Sequence, residues 1–152
     1  MGISIKESLY EYCKRFLDER VETLKRAIAE SRQSSWEDTK SSAGDKYETS
    51  REMIQGEISQ NQRQLEEAEK LYPVIEQIKN SSNESGTVVV GSLVKTDKGL
   101  FYIGIPIGMV EQEKQSIAVI SSSSPIGLLL MGKKMGDPFV FQNKTYTIES
   151  IL

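Results

Sequence analysis

The chain contains no histidine. Ser-His and Cys-His nucleophile pairs are therefore excluded, as are the usual imidazole-bearing zinc sites. A single cysteine, Cys13, can close neither an internal disulfide nor a structural zinc centre, so a reducing, cytoplasmic setting is expected. Cys13 falls on the apolar side of a helical pattern and reads as a small core residue. Long apolar runs are also missing. The longest, Ile126 to Met131, is interrupted by Gly127 and is far too short to span a bilayer. The opening Met1-Gly-Ile-Ser-Ile-Lys6 lacks the charged start, apolar stretch and cleavage site of a secretory signal. Neither export nor membrane association is expected. A net charge of −3 argues against autonomous DNA binding through the phosphate backbone. Whatever chemistry remains must run on carboxylates, on lysines or in a site borrowed from a partner.

What is present divides by period. The 152 residues, 38% hydrophobic and 27% charged, suit one ordinary soluble domain or two small ones. From Ile5 to about Arg32, apolar residues fall at Leu9, Cys13, Phe16/Leu17, Val21, Leu24 and Ile28. Steps of three and four mark one helical face, and no Gly or Pro interrupts it. About 28 residues at ~1.5 Å each make a rod of roughly 40 Å. A second stretch keeps a heptad seam through Tyr47, Arg51, Ile54, Ile58, Asn61, Leu65, Ala68, Tyr72 and Ile75. Asn61 reads as a register-fixing seam residue. Gly56 weakens this helix by ~1 kcal/mol, and Pro73 kinks it or restarts a short helix ending near Lys79. Similar lengths and one connecting turn predict an antiparallel two-helix coiled-coil hairpin over residues 1–80, in a monomer.

The polar linker 81–86 marks the expected domain boundary. Beyond it, residues 87–152 change to strand patterning. Thr87 to Lys95, Leu100 to Ile105 and Gln115 to Ile120 are rich in β-branched and aromatic residues, with Asp97-Lys-Gly99 as a turn. Ser124-Pro125 is a helix start and Gly132 its stop, about two turns later. Pro138 to Phe141 and Thr145 to Ile151 form a closing hairpin. The expected class is α+β: the hairpin, then a small antiparallel-sheet domain with one short helix.

The segment joining the two long helices holds the candidate site. Residues 34–48 read as a turn carrying four carboxylates, Glu37, Asp38, Asp45 and Glu48, beside Trp36 and Tyr47. Asp45-x-x-Glu48 matches a helix capping box, and acids suit a helix N-terminus. Capping leaves the density of acids unexplained. Two neighbouring carboxylates can share a Mg²⁺ that keeps waters and phosphates as its other ligands, as in a two-metal phosphoryl-transfer site. Such a tip binds metal weakly alone and needs ligands from a partner. Trp36 and Tyr47 read as contact residues; Arg51, one turn beyond the acids, either steers them or meets water.

Three segments carry a family resemblance. The run Ile120 to Asp137, with Ser124-Pro-Ile-Gly127, Gly132-Lys133 and Gly136-Asp137, followed by Tyr146-Thr-Ile-Glu-Ser-Ile151, resembles the last third of the bacterial Gre transcript-cleavage factors. Arg26-Ala-Ile-Ala-Glu-Ser-Arg32 and Ile54-Gln-Gly-Glu-Ile58 resemble the helices flanking the Gre tip. The resemblance implies a long coiled coil followed by an FKBP-like domain. It also implies a transcription elongation factor that binds RNA polymerase, enters its secondary channel and stimulates cleavage of backtracked RNA. The protein is then no enzyme itself. Its tip carboxylates complete the polymerase's own Mg²⁺ site and reach the nascent RNA 3′ end only indirectly. The Gre tip reads Gly-Asp-x-x-Glu-Asn with the Asp and Glu as catalytic acids. Gly44-Asp45-Lys-Tyr-Glu48 reproduces all but the Asn, which is Thr49 here; a nearly gapless alignment instead places Trp36-Glu37-Asp38 at the tip. The resemblance thus implies Asp45 and Glu48, or alternatively Glu37 and Asp38, as catalytic and Mg²⁺-sharing residues. Two other readings remain: a polymerase regulator without cleavage, and a coiled-coil adaptor unrelated to transcription.

Overall fold

The computed structural model describes residues 4–40, 45–82 and 84–152, and their side chains apart from 35–40 and 45–49. The chain is α+β, as expected. Its elements are α1 (Ile5–Lys40), α2 (Asp45–Glu69), α3 (Tyr72–Lys79), β1 (Leu93–Thr96), β2 (Gly99–Ile103), β3 (Gly108–Gln112), β4 (Gln115–Ile120), α4 (Pro125–Leu130), β5 (Pro138–Phe141) and β6 (Lys144–Ile151). No helix among the described residues is long and apolar enough to cross a membrane. Two compact units divide the chain. One takes the chain up to Arg15 together with Pro73–Leu152, the other Phe16–Tyr72. The sequence reading places residues 1–80 in one helical body; the first turns of α1 and nearly all of α3 lie in the unit that holds the sheet.

In the helical unit, Leu17, Val21, Leu24 and Ile28 of α1 are buried at the predicted three-four spacing. The seam of α2 is legible in burial too. Ile58 and Ala68 are buried, and Arg51, Ile54, Asn61 and Leu65 are half-buried among mostly exposed neighbours. The Tyr72 hydroxyl donates to Asp18 Oδ1 at 2.7 Å, joining the start of α3 to α1. Burial, then the Asp18 carboxylate, pushes that phenol up to about 12. Pro73 restarts the helix as α3, because its ring cannot continue the preceding hydrogen-bond ladder.

The expected turn over residues 34–48 requires correction. Helix continues through Ser34 to Lys40 and resumes at Asp45, so only residues 41–44 separate α1 from α2. The physical reason is the absence of a breaker: Ser34 to Lys40 holds no Gly or Pro, and Gly44 is the first.

In the other unit the strand order is β3-β4-β2-β1-β6-β5. Pairing is antiparallel except between β2 and β4, which run parallel, so the expected fully antiparallel sheet is corrected at this one pair. The expected strand from Thr87 is shorter: β1 begins at Leu93, after Gly91 takes φ +95. Val88 and Val90 are buried nonetheless, and Val88 is tied by backbone hydrogen bonds to Gly132 and Lys133. Ser124 caps α4 as expected, accepting from the Gly127 N–H at 3.0 Å and donating to the Ser121 carbonyl at 2.8 Å. At the β1–β2 turn, Asp97 accepts the Thr147 N–H at 2.9 Å, which holds its carboxyl below the usual range.

Strand β3 has no counterpart in the sequence reading, and its turn explains why. The β3–β4 loop is Glu113-Lys114, both at positive φ (53° and 64°), the geometry of a two-residue hairpin turn that usually carries Asn-Gly. Without that signature the hairpin is silent in sequence. Each non-Gly residue held there costs roughly 1–2 kcal/mol. Lys114→Gly is therefore expected to raise stability by about 1 kcal/mol, read by urea unfolding.

Candidate functional site

The backbone places the expected acids on either side of residues 41–44. Glu37 and Asp38 lie in the last turn of α1, and Asp45 and Glu48 in the first turn of α2. Positions 45 and 48 are three apart and share one helical face. Positions 37 and 38 are consecutive and diverge by about 100° around the axis. Asp45 and Glu48 also occupy a helix N-terminus, the end whose dipole favours anions. The side chains of Trp36, Glu37, Asp38, Asp45, Tyr47 and Glu48 lie outside the described residues. Among the described residues, no group of three or more His, Cys, Asp or Glu is arranged to hold a metal.

Arg51 stands one turn beyond Glu48 on α2. It is half-buried, and its Nε has no hydrogen-bond partner among the described residues. A guanidinium keeps its charge under all ordinary conditions. Within the same unit, Lys25, Ile28 and Arg32 of α1 line a shallow groove with Gln62 and Leu65 of α2. The Tyr72–Asp18 bond ties the first residue of α3 to α1 in the same unit.

In the sheet unit, Cys13 is fully buried, the core role expected of it. Burial pushes its thiol up to about 11, against a smaller opposing effect of a hydrogen bond with the Ile105 backbone, so it is protonated and unreactive at neutral pH. Gly132 and Gly136 take φ +80 and +91, and Asp137 Oδ2 accepts the Lys134 N–H at 2.8 Å. These positions of the resemblance motif act as turn devices.

One group escapes sequence reasoning altogether. Tyr102 on β2 is completely buried, yet its hydroxyl has no hydrogen-bond partner among the described residues. Burial, with smaller contributions from Cys13 and Tyr10, raises its pKa far above the usual phenol value. In sequence it is one aromatic in the apolar run Leu100-Phe-Tyr-Ile-Gly-Ile105; only a tyrosine where phenylalanine would suffice hints at a polar need. Compared with known protein families, curated proteins and solved structures, the chain matches none.

Proposed function

We propose that the chain is a Gre-like transcription elongation factor. In this reading α1 and α2 form an antiparallel coiled-coil hairpin and the sheet unit is FKBP-like. The hairpin enters the secondary channel of RNA polymerase with its acidic end leading. Asp45 and Glu48 then complete the polymerase's Mg²⁺ site, where the metal supplies an activated water and charge stabilisation for hydrolysis of backtracked RNA. Cleavage is thus the polymerase's own activity, stimulated.

The observation that carries this reading is the acid pair at 45 and 48. It begins a 25-residue helix, one short connection away from a 36-residue one. The groove that Lys25, Ile28 and Arg32 of α1 share with Gln62 and Leu65 of α2 supports pairing of the two helices, and the shared helical face favours Asp45 and Glu48 over Glu37 and Asp38. Arg51, one turn deeper, provides a fixed positive charge for a partner's phosphates or carboxylates.

A stalled elongation complex tests it. Adding the protein is expected to accelerate shortening of RNA from its 3′ end. Asp45→Ala/Glu48→Ala should remove that acceleration, a loss of roughly 100-fold or more if the pair positions a catalytic metal, while polymerase binding persists. Glu37→Ala/Asp38→Ala should leave most of it. Binding with altered nucleotide addition but no cleavage would establish the channel regulator instead. A pull-down lacking polymerase subunits would favour the coiled-coil adaptor.

A further inference from the structure

We propose that the cleft formed by the start of α1, the end of α3 and β2 binds a small ligand through an oxyanion, a carboxylate or a phosphate. The cleft encloses about 360 Å³ and lies wholly within the sheet unit. It is independent of the polymerase reading, which concerns the opposite end of α1.

The chemistry of the walls is one-sided. Ser4, Lys6, Tyr10, Lys79, Ser81 and Tyr102 line the cleft, so its lining includes four hydroxyl-bearing and two ammonium-bearing side chains. Glu7 is the one acid of the lining and Ile78 its apolar residue. The Tyr102 hydroxyl, buried and unpartnered, is a donor left without an acceptor; natural structures seldom leave such groups unsatisfied. Lys6 is partly buried, and that desolvation lowers its pKa, so an anion beside it restores what burial removes.

The backbone adds to this. The cleft takes in the N-terminus of a 36-residue helix, whose dipole favours an anion, with Ser4 Oγ already accepting the Glu7 N–H at 3.2 Å. At the facing end of α3, the carbonyls of Glu76 and Ile78 already accept the N–H groups of Asn80 and Ser81, at 3.1 and 3.2 Å. Their negative end is thereby partly quenched, and Lys79 adds a cation to the same turn. A cationic ligand would meet two ammonium groups and one carboxylate. An oxyanion meets the same three groups with attraction and repulsion exchanged.

The test uses the full chain, isotope-labelled and titrated separately with inorganic phosphate and with acetate, chloride serving as the ionic-strength control. Saturable shifts at Tyr102 and Lys79 are expected with at least one oxyanion. Lys79→Gln should weaken that binding roughly tenfold by removing one charge-assisted hydrogen bond, and Tyr102→Phe should weaken it several-fold. Lys79 is exposed, so its variant keeps the test open should Tyr102→Phe perturb folding. Saturation by phosphate alone assigns the cleft to phosphate esters; saturation by acetate assigns it to carboxylates. The proposal is overturned if neither anion saturates, if chloride reproduces the shifts, or if both variants bind as well as the parent chain.

Discussion

Leu130→Ala is expected to lower stability by about 2–5 kcal/mol, whereas Leu128→Ala, two residues earlier, should change it by less than ~0.5 kcal/mol. The three leucines of α4 are identical in chemistry and differ only in where the helix aims them. Leu130 is completely buried, Leu129 is 36% exposed and Leu128 is 66% exposed. Ser124 sets that aim by fixing the first turn, and the chain just past Leu130 is pinned by the hydrogen bonds between Val88 and residues 132 and 133. Collapse around a shortened side chain is thus resisted from both sides, and the lost contacts are not recovered. Since whole domains are stable by only about 5–15 kcal/mol, a loss of this size removes a large share of the total. Urea unfolding of both variants measures the contrast. Equal effects at 128 and 130 would mean that α4 is turned differently on the sheet.

Gly91→Ala should cost about 3 kcal/mol, from two separable sources. The first is conformational: φ of +95 lies where a Cβ clashes with its own backbone, worth roughly 1–2 kcal/mol. The second is a close approach. A Cβ at Gly91 would stand 2.2 Å from Ser81 Oγ and 2.8 Å from Ser81 Cβ. The backbone cannot retreat easily, because the Gly91 N–H donates to the Ile103 carbonyl at 2.7 Å. Ser81→Gly removes both crowding atoms and leaves the φ strain in place. In a double-mutant cycle, Ser81→Gly is therefore expected to recover about half of the loss, the part owed to crowding. No recovery would assign the whole effect to backbone conformation.

These residues also show what sequence does and does not reveal. The helical face of α1 and the seam of α2 were legible because burial follows period, and period is written in residue type. The cap at Ser124-Pro125 was legible because the chemistry is local. Strand β3 was not, since Glu113 and Lys114 adopt a turn conformation that neither residue advertises. The extension of helix through Ser34 to Lys40 was missed because a cluster of Ser and acidic residues resembles a loop in composition, while nothing in it forbids a helix. The cleft around Tyr102 was invisible for another reason. Its walls come from positions near 4–10, 78–81 and 102, which only the folded chain brings together. Of the candidate acids, Asp45-x-x-Glu48 is legible as a capping box because that signal is local, and the backbone starts α2 at Asp45.

The sheet unit is assembled from both sides of a long detour. Leu9 and Cys13 are buried in it, as are Ile75 and Ile78, yet the whole of Phe16–Tyr72 intervenes between them in the chain. A ribosome therefore releases the first portion of this core long before the rest exists. Closing so long an excursion makes distant contacts prominent, which slows folding relative to a domain built from neighbours.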